Sequence, residues 1–229
     1  MINPVFVAID TTDIGHAAAL IAATAPHVGG IKLGLEYFCA RGPDGVRALA
    51  EGHRLFLDLK LHDIPNTVAG AVRAVAPLGP DLLTIHASGG TAMMRAAVAA
   101  ASETSPGMRL IGITVLTSFD DGDVVAVGQR GPVRDQALRL AALAQQCGLD
   151  GVVCSAHEVS ALRTACGPDF TLIVPGIRPD GSAVGDQKRV MTPPEAMAAG
   201  ASHLVIGRPI TAAADPAQAA RMIAQGLGL

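Results

Sequence analysis

Three charged residues interrupt or follow an apolar segment in the first third of the chain. Asp58 and Lys60 lie inside the apolar run at residues 55–61, and Asp63 comes two positions after it. Successive side chains of a strand point to opposite sides, so Asp58 and Lys60 share one face if this run is a strand. Burying charge is costly unless the charges are paired. The pattern therefore indicates either a structural salt bridge or an active site that uses a carboxylate together with an ammonium group.

The rest of the chain consists of apolar runs that alternate with segments of helical pattern. Continuous apolar strands are typical of a parallel sheet covered on both faces. The eight predicted strands are residues 4–10, 30–35, 54–60, 81–87, 109–116, 151–155, 171–177 and 203–208. This alternation over 229 residues predicts one α/β domain, residues 1–229, folded as a (β/α)₈ TIM barrel. The alternative is an open doubly wound sheet, but no Gly-x-Gly-x-x-Gly motif follows the first strand.

Local signals place several helices and loops between these strands. Pro65 suits the first turn of a helix that is expected to end near Ala76. The helix before the third strand is predicted at residues 43–52. Residues 117–128 are predicted to be irregular, and residues 178–191 to form a long polar loop.

Composition excludes several classes of function. The net charge is −3 with no basic patch, which argues against nucleic acid and anionic membrane surfaces as partners. No apolar run reaches the roughly 18 residues of a membrane span, and the N-terminus lacks the pattern of a signal peptide. Four cysteines without metal-ligand spacing predict reduced thiols. We therefore expect a soluble, cytoplasmic protein.

Active sites of such barrels lie at the carboxyl ends of the strands. The polar residues predicted there are Asp10, Lys32, Asp58, Lys60, His86, Thr117 and Arg208. Opposite charges about 4 Å apart attract by roughly 4 kcal/mol at an effective dielectric constant near 20. Alternating carboxylates and lysines would therefore support one another, either as a salt-bridge network that closes the barrel or as a site.

The end of the last strand has the composition of a phosphate site. Gly207 lets backbone amides approach an anion, and Arg208 offers a guanidinium fork. The loop after the seventh strand carries Arg178 and Gln187 among glycines, a composition that suits a lid over a ligand. A solvated surface loop is the alternative for this segment.

A metal site can also be drawn from Asp10, Asp58 and Asp63. The lysines between these carboxylates would compete with a cation, so the sequence disfavours a metal.

The segment Asp-Leu-Lys-Leu-His-Asp-Ile-Pro-Asn-Thr at residues 58–67 closely resembles the signature of the orotidine 5′-phosphate decarboxylase family. The Asp-x-Lys-x-x-Asp core is shared with sugar-phosphate decarboxylases and synthases, whereas the Ile-Pro-Asn-Thr extension is more specific. The resemblance covers nearly the whole chain and includes residues 7–10, 31–34, 86–90, 115–118, 174–178 and 206–209.

This resemblance implies a barrel that acts as a homodimer with shared active sites, without metal or organic cofactor. The implied reaction is decarboxylation of orotidine 5′-phosphate to UMP and CO₂, the last step of de novo UMP synthesis within pyrimidine biosynthesis. The alternatives are a metal-dependent sugar-phosphate lyase of the same suprafamily and a non-catalytic UMP-binding barrel. The implied catalytic residues are Lys60, Asp58, Lys32 and Asp63, with Lys60 as the acid that protonates C6 of the pyrimidine.

The resemblance also implies how the substrate is bound. Asp58 would lie against the substrate carboxylate, Lys32 and Asp10 would hold ribose hydroxyls, and Thr117 would lie beside the pyrimidine. Asp63 and Thr67 would reach into the partner subunit's site. The phosphate would be bound by Arg178, Gln187, Gly207 and Arg208, and the remaining substrate-binding residues are Ile64 and Pro175.

Overall fold

Eight parallel strands form a closed barrel in the computed structural model, which describes residues 3–179 and 191–229. Each strand pairs with the next in the sequence, and the last pairs with the first. The strands are β1 (Val5–Ile9), β2 (Gly30–Gly34), β3 (Leu55–Leu61), β4 (Leu82–His86), β5 (Arg109–Ile113), β6 (Gly151–Val153), β7 (Thr171–Pro175) and β8 (His203–Ile206). The predicted (β/α)₈ barrel is confirmed.

Helices follow the strands around the outside of the barrel. The α-helices in the described ranges are α1 (Ile14–Thr24), α2 (Leu35–Ala50), α3 (Pro65–Val75), α4 (Gly90–Thr104), α5 (Asp121–Ala126), α6 (Val133–Gln146), α7 (Val159–Cys166), α8 (Pro193–Ala198), α9 (Arg208–Thr211) and α10 (Pro216–Gly226). Over residues 3–179 and 191–229, none of these helices combines the length and apolarity needed to cross a membrane.

Two stretches of the chain are more helical than predicted. Helix α2 is kinked at Gly42, where φ is 62°, and so consists of two helical segments. The second segment agrees with the helix predicted at residues 43–52, whereas the segment from Leu35 to the kink was not predicted. Helix α5 lies inside the stretch predicted to be irregular. The side chain of Asp120 caps this helix and that of Asp123 reaches back to the Asp120 amide, a capping box that identifies its start.

Other boundaries agree more closely with the prediction. Pro65 begins α3 as expected, and this helix ends at Val75. Strand β5 ends at Ile113, earlier than the predicted Leu116, because the chain leaves the sheet while its side chains are still apolar. The segment that follows β5 therefore belongs to the barrel mouth rather than to its wall.

The barrel interior is filled below the mouth by a compact apolar layer. The buried residues of this layer are Phe6, Ala8, Phe56, Leu82, Ile111, Ile173 and Val205. Side chains two positions further along a strand continue on the same face. Asp58 and Thr84 therefore follow Phe56 and Leu82 into the interior, directly above the apolar layer.

Candidate active site

A pocket of about 460 Å³ opens at the carboxyl ends of the strands. Its apolar wall includes Ile113, Val115 and Val205. The predicted site residues that line it are Asp10, Lys32, Asp58, Lys60, Thr117, Pro175, Arg178, Gly207 and Arg208. Residues far apart in the sequence thus meet at one mouth, as parallel strands of a barrel require.

One wall of the pocket carries an alternating array of carboxylates and ammonium groups, in the order Asp10, Lys32, Asp58 and Lys60. The Nζ atom of Lys32 lies 3.2 Å from Oδ1 of Asp10 and 3.8 Å from Oδ2 of Asp58. The Nζ atom of Lys60 donates a hydrogen bond of 2.7 Å to the same Oδ2 atom. Asp58 therefore connects the two lysines.

Asp58 stays ionised although it is deeply placed. Burial raises the pKa of this carboxyl group, but the charges of Lys32 and Lys60 and the hydrogen bonds from Lys60 and Thr84 outweigh burial, so its pKa lies below the ordinary value. The resulting carboxylate holds the Lys60 ammonium group at the edge of the pocket.

The backbone at Lys60 departs from regular strand geometry. Leu57 pairs with Leu83, whereas Leu61 pairs with Ile85, so β3 bulges against β4. Lys60 has φ of 50° and is the single non-glycine residue with positive φ among residues 3–179 and 191–229. Such a conformation costs on the order of 1–2 kcal/mol. Backbone strain of this kind is concentrated at functional sites.

Thr84 on β4 is a site component that the sequence reasoning missed. Its hydroxyl group donates to Oδ1 of Asp58 over 2.8 Å and accepts the backbone N–H of Lys60 over 2.8 Å. A hydroxyl residue in the otherwise apolar run Leu82–Ile85, on the same face as Leu82, was the available signal.

The histidine at the end of β4 lies outside the residues that line the pocket. The ring of His86 packs against that of His62 with a centroid distance of 5.2 Å. Burial, His62 and Lys60 together lower the pKa of His86 to about 4, although Asp58 opposes them. His86 is therefore uncharged at neutral pH and adds no positive charge to the array.

The opposite wall is cationic. Arg178 is buried, and its Nη1 atom donates to the carbonyl oxygen of Ile177 over 3.0 Å. Burial and the neighbouring Arg208 lower the pKa of Arg178. Both arginines line the pocket, together with Gly207. Two adjacent cations favour an anion between them, and arginine matches phosphate geometry well.

The remaining predicted residues are placed elsewhere or lie outside the described ranges. Asp63, Ile64 and Thr67 are exposed where α3 begins, and they do not line the pocket of their own chain. Oδ1 of Asp63 accepts the N–H of Ile64 over 2.6 Å. Gln187 lies outside the described residues. Within those residues, no group of three or more His, Cys, Asp or Glu side chains is arranged to hold a metal ion.

The arrangement predicts a particular chemistry. A fixed ammonium group beside an apolar wall stabilises negative charge that develops on a ligand atom, and it can then supply a proton. The cationic wall would bind an anionic group at the far end of the same ligand. The pocket thus suits a phosphorylated substrate that passes through a carbanion.

Similarity to known proteins agrees with this chemistry. The profile of the "Orotidine 5′-phosphate decarboxylase / HUMPS family" matches residues 3–223. A protein of Paramagnetospirillum magneticum named orotidine 5′-phosphate decarboxylase is 57% identical over 235 residues, covering 100% of both chains. One of the same name from Rhodospirillum rubrum is 58% identical, covering 97% of this chain and 93% of its own.

A solved structure is similar over the whole length as well. The crystal structure of orotidine 5′-phosphate decarboxylase from Lactobacillus acidophilus superposes with a TM-score of 0.87 at 37% identity, covering 99% of this chain and 100% of that one. The barrel, the charge array at its mouth and a family match over residues 3–223 lead to one conclusion. The chain belongs to the orotidine 5′-phosphate decarboxylase / HUMPS family.

Proposed function

We propose that this protein decarboxylates orotidine 5′-phosphate to UMP and CO₂ without a metal or organic cofactor. The observation that carries the proposal is the Lys60 ammonium group, held 2.7 Å from Asp58 in a pocket whose opposite wall is cationic. The names of the related proteins support the same reaction.

The chemistry explains why an ammonium group is needed. Breaking the bond between C6 and the carboxylate leaves the electron pair on C6, and the pyrimidine ring delocalises this pair poorly. Without a cofactor to accept the electrons, the protein must stabilise the carbanion. Lys60 provides a fixed positive charge beside C6 and then transfers a proton from Nζ to it.

Asp58 has two roles in this proposal. It holds Lys60 in place through the 2.7 Å hydrogen bond. It also lies close to the substrate carboxylate, so that repulsion between like charges is relieved when CO₂ leaves. Lys32 is hydrogen-bonded to Asp10 and lies 3.8 Å from Asp58, so its charge lies between the two carboxylates. In this proposal Lys32 contacts one ribose hydroxyl and Asp10 contacts another.

The cationic wall binds the 5′-phosphate through Arg178, Arg208 and the backbone near Gly207. We include Gln187 in this group by resemblance. Thr117 and Pro175 line the pocket on the side assigned to the pyrimidine. Binding energy from the phosphate, remote from the reacting carbon, positions the ring against Lys60.

The proposal includes a homodimer with shared active sites. Asp63, Ile64 and Thr67 are exposed and lie away from their own pocket, and Ile64 is 67% exposed despite being apolar. A partner's pocket is the place where these side chains would act. We further propose one barrel domain over residues 1–229 and a cytoplasmic location, which the four free cysteines support.

The test is a decarboxylation assay that follows the loss of substrate absorbance with purified protein in the presence of EDTA. Turnover that Lys60→Ala abolishes, while the variant still folds, is the expected result. A folded wild-type protein without turnover would refute the proposal. Mg²⁺-dependent activity on a keto-acid sugar phosphate would favour a lyase instead, and UMP binding without turnover would favour a nucleotide-binding barrel.

A further inference from the structure

The bulge in β3 removes Lys60 from the regular hydrogen-bond ladder with β4. Three residues separate Leu57 from Leu61, whereas one separates their partners Leu83 and Ile85. The N–H of Lys60 donates instead to the hydroxyl oxygen of Thr84 over 2.8 Å. The hydroxyl group of Thr84 thus takes the place of a backbone acceptor in the bulge.

The contact with Lys60 also determines where the Thr84 hydroxyl group donates its own proton. A threonine hydroxyl has one proton and two lone pairs. Because the oxygen accepts from Lys60, its proton is free to be donated, and it goes to Oδ1 of Asp58 over 2.8 Å. Thr84 is fully buried and does not line the pocket, so it has no direct access to a ligand.

We propose that Thr84 is a positioning residue for the decarboxylation: its hydroxyl group fixes the Lys60 backbone and the Asp58 carboxylate relative to each other. This inference rests on the proposed function. The two groups are joined a second time by the 2.7 Å bond between their side chains. Three hydrogen bonds therefore link the Lys60 backbone to Thr84, Thr84 to Asp58, and Asp58 back to the Lys60 ammonium group, and together they hold Nζ at the pocket.

The carboxylate is constrained on both oxygens. Oδ1 accepts from Thr84, and Oδ2 accepts from Lys60 and faces Lys32 at 3.8 Å. Without the Thr84 hydroxyl group, the Asp58 carboxylate would be free to rotate. The Lys60 N–H would also lose the hydrogen-bond acceptor that stabilises the left-handed backbone conformation of Lys60. Misplacement of a catalytic group by about 1 Å can reduce a rate by roughly 100-fold.

Thr84→Val tests this role because it removes the hydroxyl group and keeps the branched shape. We expect kcat to fall by about 10- to 100-fold, with KM close to that of the wild type because no substrate contact is lost. Thr84→Ser keeps the hydroxyl group and should restore most of kcat. The matched control is Thr24→Val, which removes a buried hydroxyl bonded to the carbonyl of Leu20 and should leave kcat unchanged.

The outcomes separate this inference from the proposed function. A wild-type protein that decarboxylates the substrate, together with an undiminished kcat in Thr84→Val, overturns the positioning role alone. A serine variant as slow as the valine variant also counts against it. If Thr84→Val does not fold, Thr84→Ser and Thr84→Ala are compared instead, because they differ by the hydroxyl oxygen. Equal kcat values in these two variants would overturn the inference. A folded but inactive wild-type protein overturns both proposals.

Discussion

Lys60→Met removes the ammonium group at the end of the charge array and keeps an unbranched side chain of similar length. The side chain of Lys60 is 31% exposed, so methionine can occupy its space at the edge of the pocket. Asp58 keeps the Thr84 hydrogen bond of 2.8 Å and the Lys32 ammonium group at 3.8 Å. In the variant, the charge of Asp58 is therefore still balanced by Lys32, but the Lys60 ammonium group is no longer there to donate a proton to the substrate.

The expected loss of activity follows from the charge that disappears. At an effective dielectric constant near 20, a positive charge about 3 Å from a carbanion stabilises it by roughly 5 kcal/mol. At about 1.4 kcal/mol for each factor of ten, this corresponds to roughly four powers of ten in rate. Loss of the general acid adds about 10²- to 10⁴-fold. We expect kcat/KM to fall by at least about 10⁴-fold.

The assay is steady-state decarboxylation, with UMP binding measured by calorimetry to show that the pocket is intact. Arg47→Met is a suitable control, because it removes a cation from an exposed ion pair with Asp44 on α2. This control should retain wild-type kcat/KM. If folded Lys60→Met kept more than about one hundredth of the wild-type kcat/KM, the electrostatic argument for Lys60 would be refuted.

Three further predictions concern the phosphate, the partner subunit and pH. Arg208→Ala should raise KM by about 10- to 100-fold with a smaller change in kcat, because it removes a charge-assisted contact to the phosphate; an unchanged KM in initial-rate measurements would contradict that role. Mixing Lys60→Ala with Asp63→Ala subunits should restore part of the activity, because one site of the heterodimer has both residues; an inactive heterodimer, verified by mass, would contradict the shared site. Burial, Arg109 and Arg54 lower the pKa of His203 from 6.5 to about 4. Between pH 6.5 and pH 4 the unfolded state therefore binds more protons than the folded state, so the free energy of unfolding falls as the pH decreases over this range. His203→Gln should flatten this fall in chemical unfolding, by an amount on the order of 3 kcal/mol, whereas the exposed-site control His16→Gln should not.

The barrel was predictable because most residues of its strands are apolar, on both faces of the sheet. Continuous apolar strands fit a parallel sheet that is covered by helices on one face and by a filled barrel interior on the other. Because these strands alternate with helical segments, few α/β topologies other than a barrel are compatible with the sequence. The helical segment before Gly42 was harder to predict, because whether a helix continues through a kink depends on its packing against neighbours, which the local sequence does not contain. The helix after Asp120 does have a local signal, the capping box of Asp120 and Asp123.

The residues of the charge array were predictable for a related reason. Charges at the ends of apolar strands are costly unless they meet partners, and a closed barrel brings those ends together. The exposed residues at the start of α3 differ, because they do not line the pocket of their own chain. Their proposed role lies in a second subunit's site, so neither the sequence pattern nor the fold of one chain establishes it.

The geometry of Asp58 and Lys60 depends on two strands rather than on one. Alternation along a strand correctly placed both side chains at the pocket, but it assumed a regular backbone. The left-handed conformation of Lys60 is a property of two strands, because it depends on the register shift between β3 and β4. The hydroxyl group that accepts the Lys60 amide lies 24 residues away in the sequence. The pattern along β3 alone therefore identifies Asp58 and Lys60 as a pair at the pocket, whereas the orientation of that pair depends on the neighbouring strand.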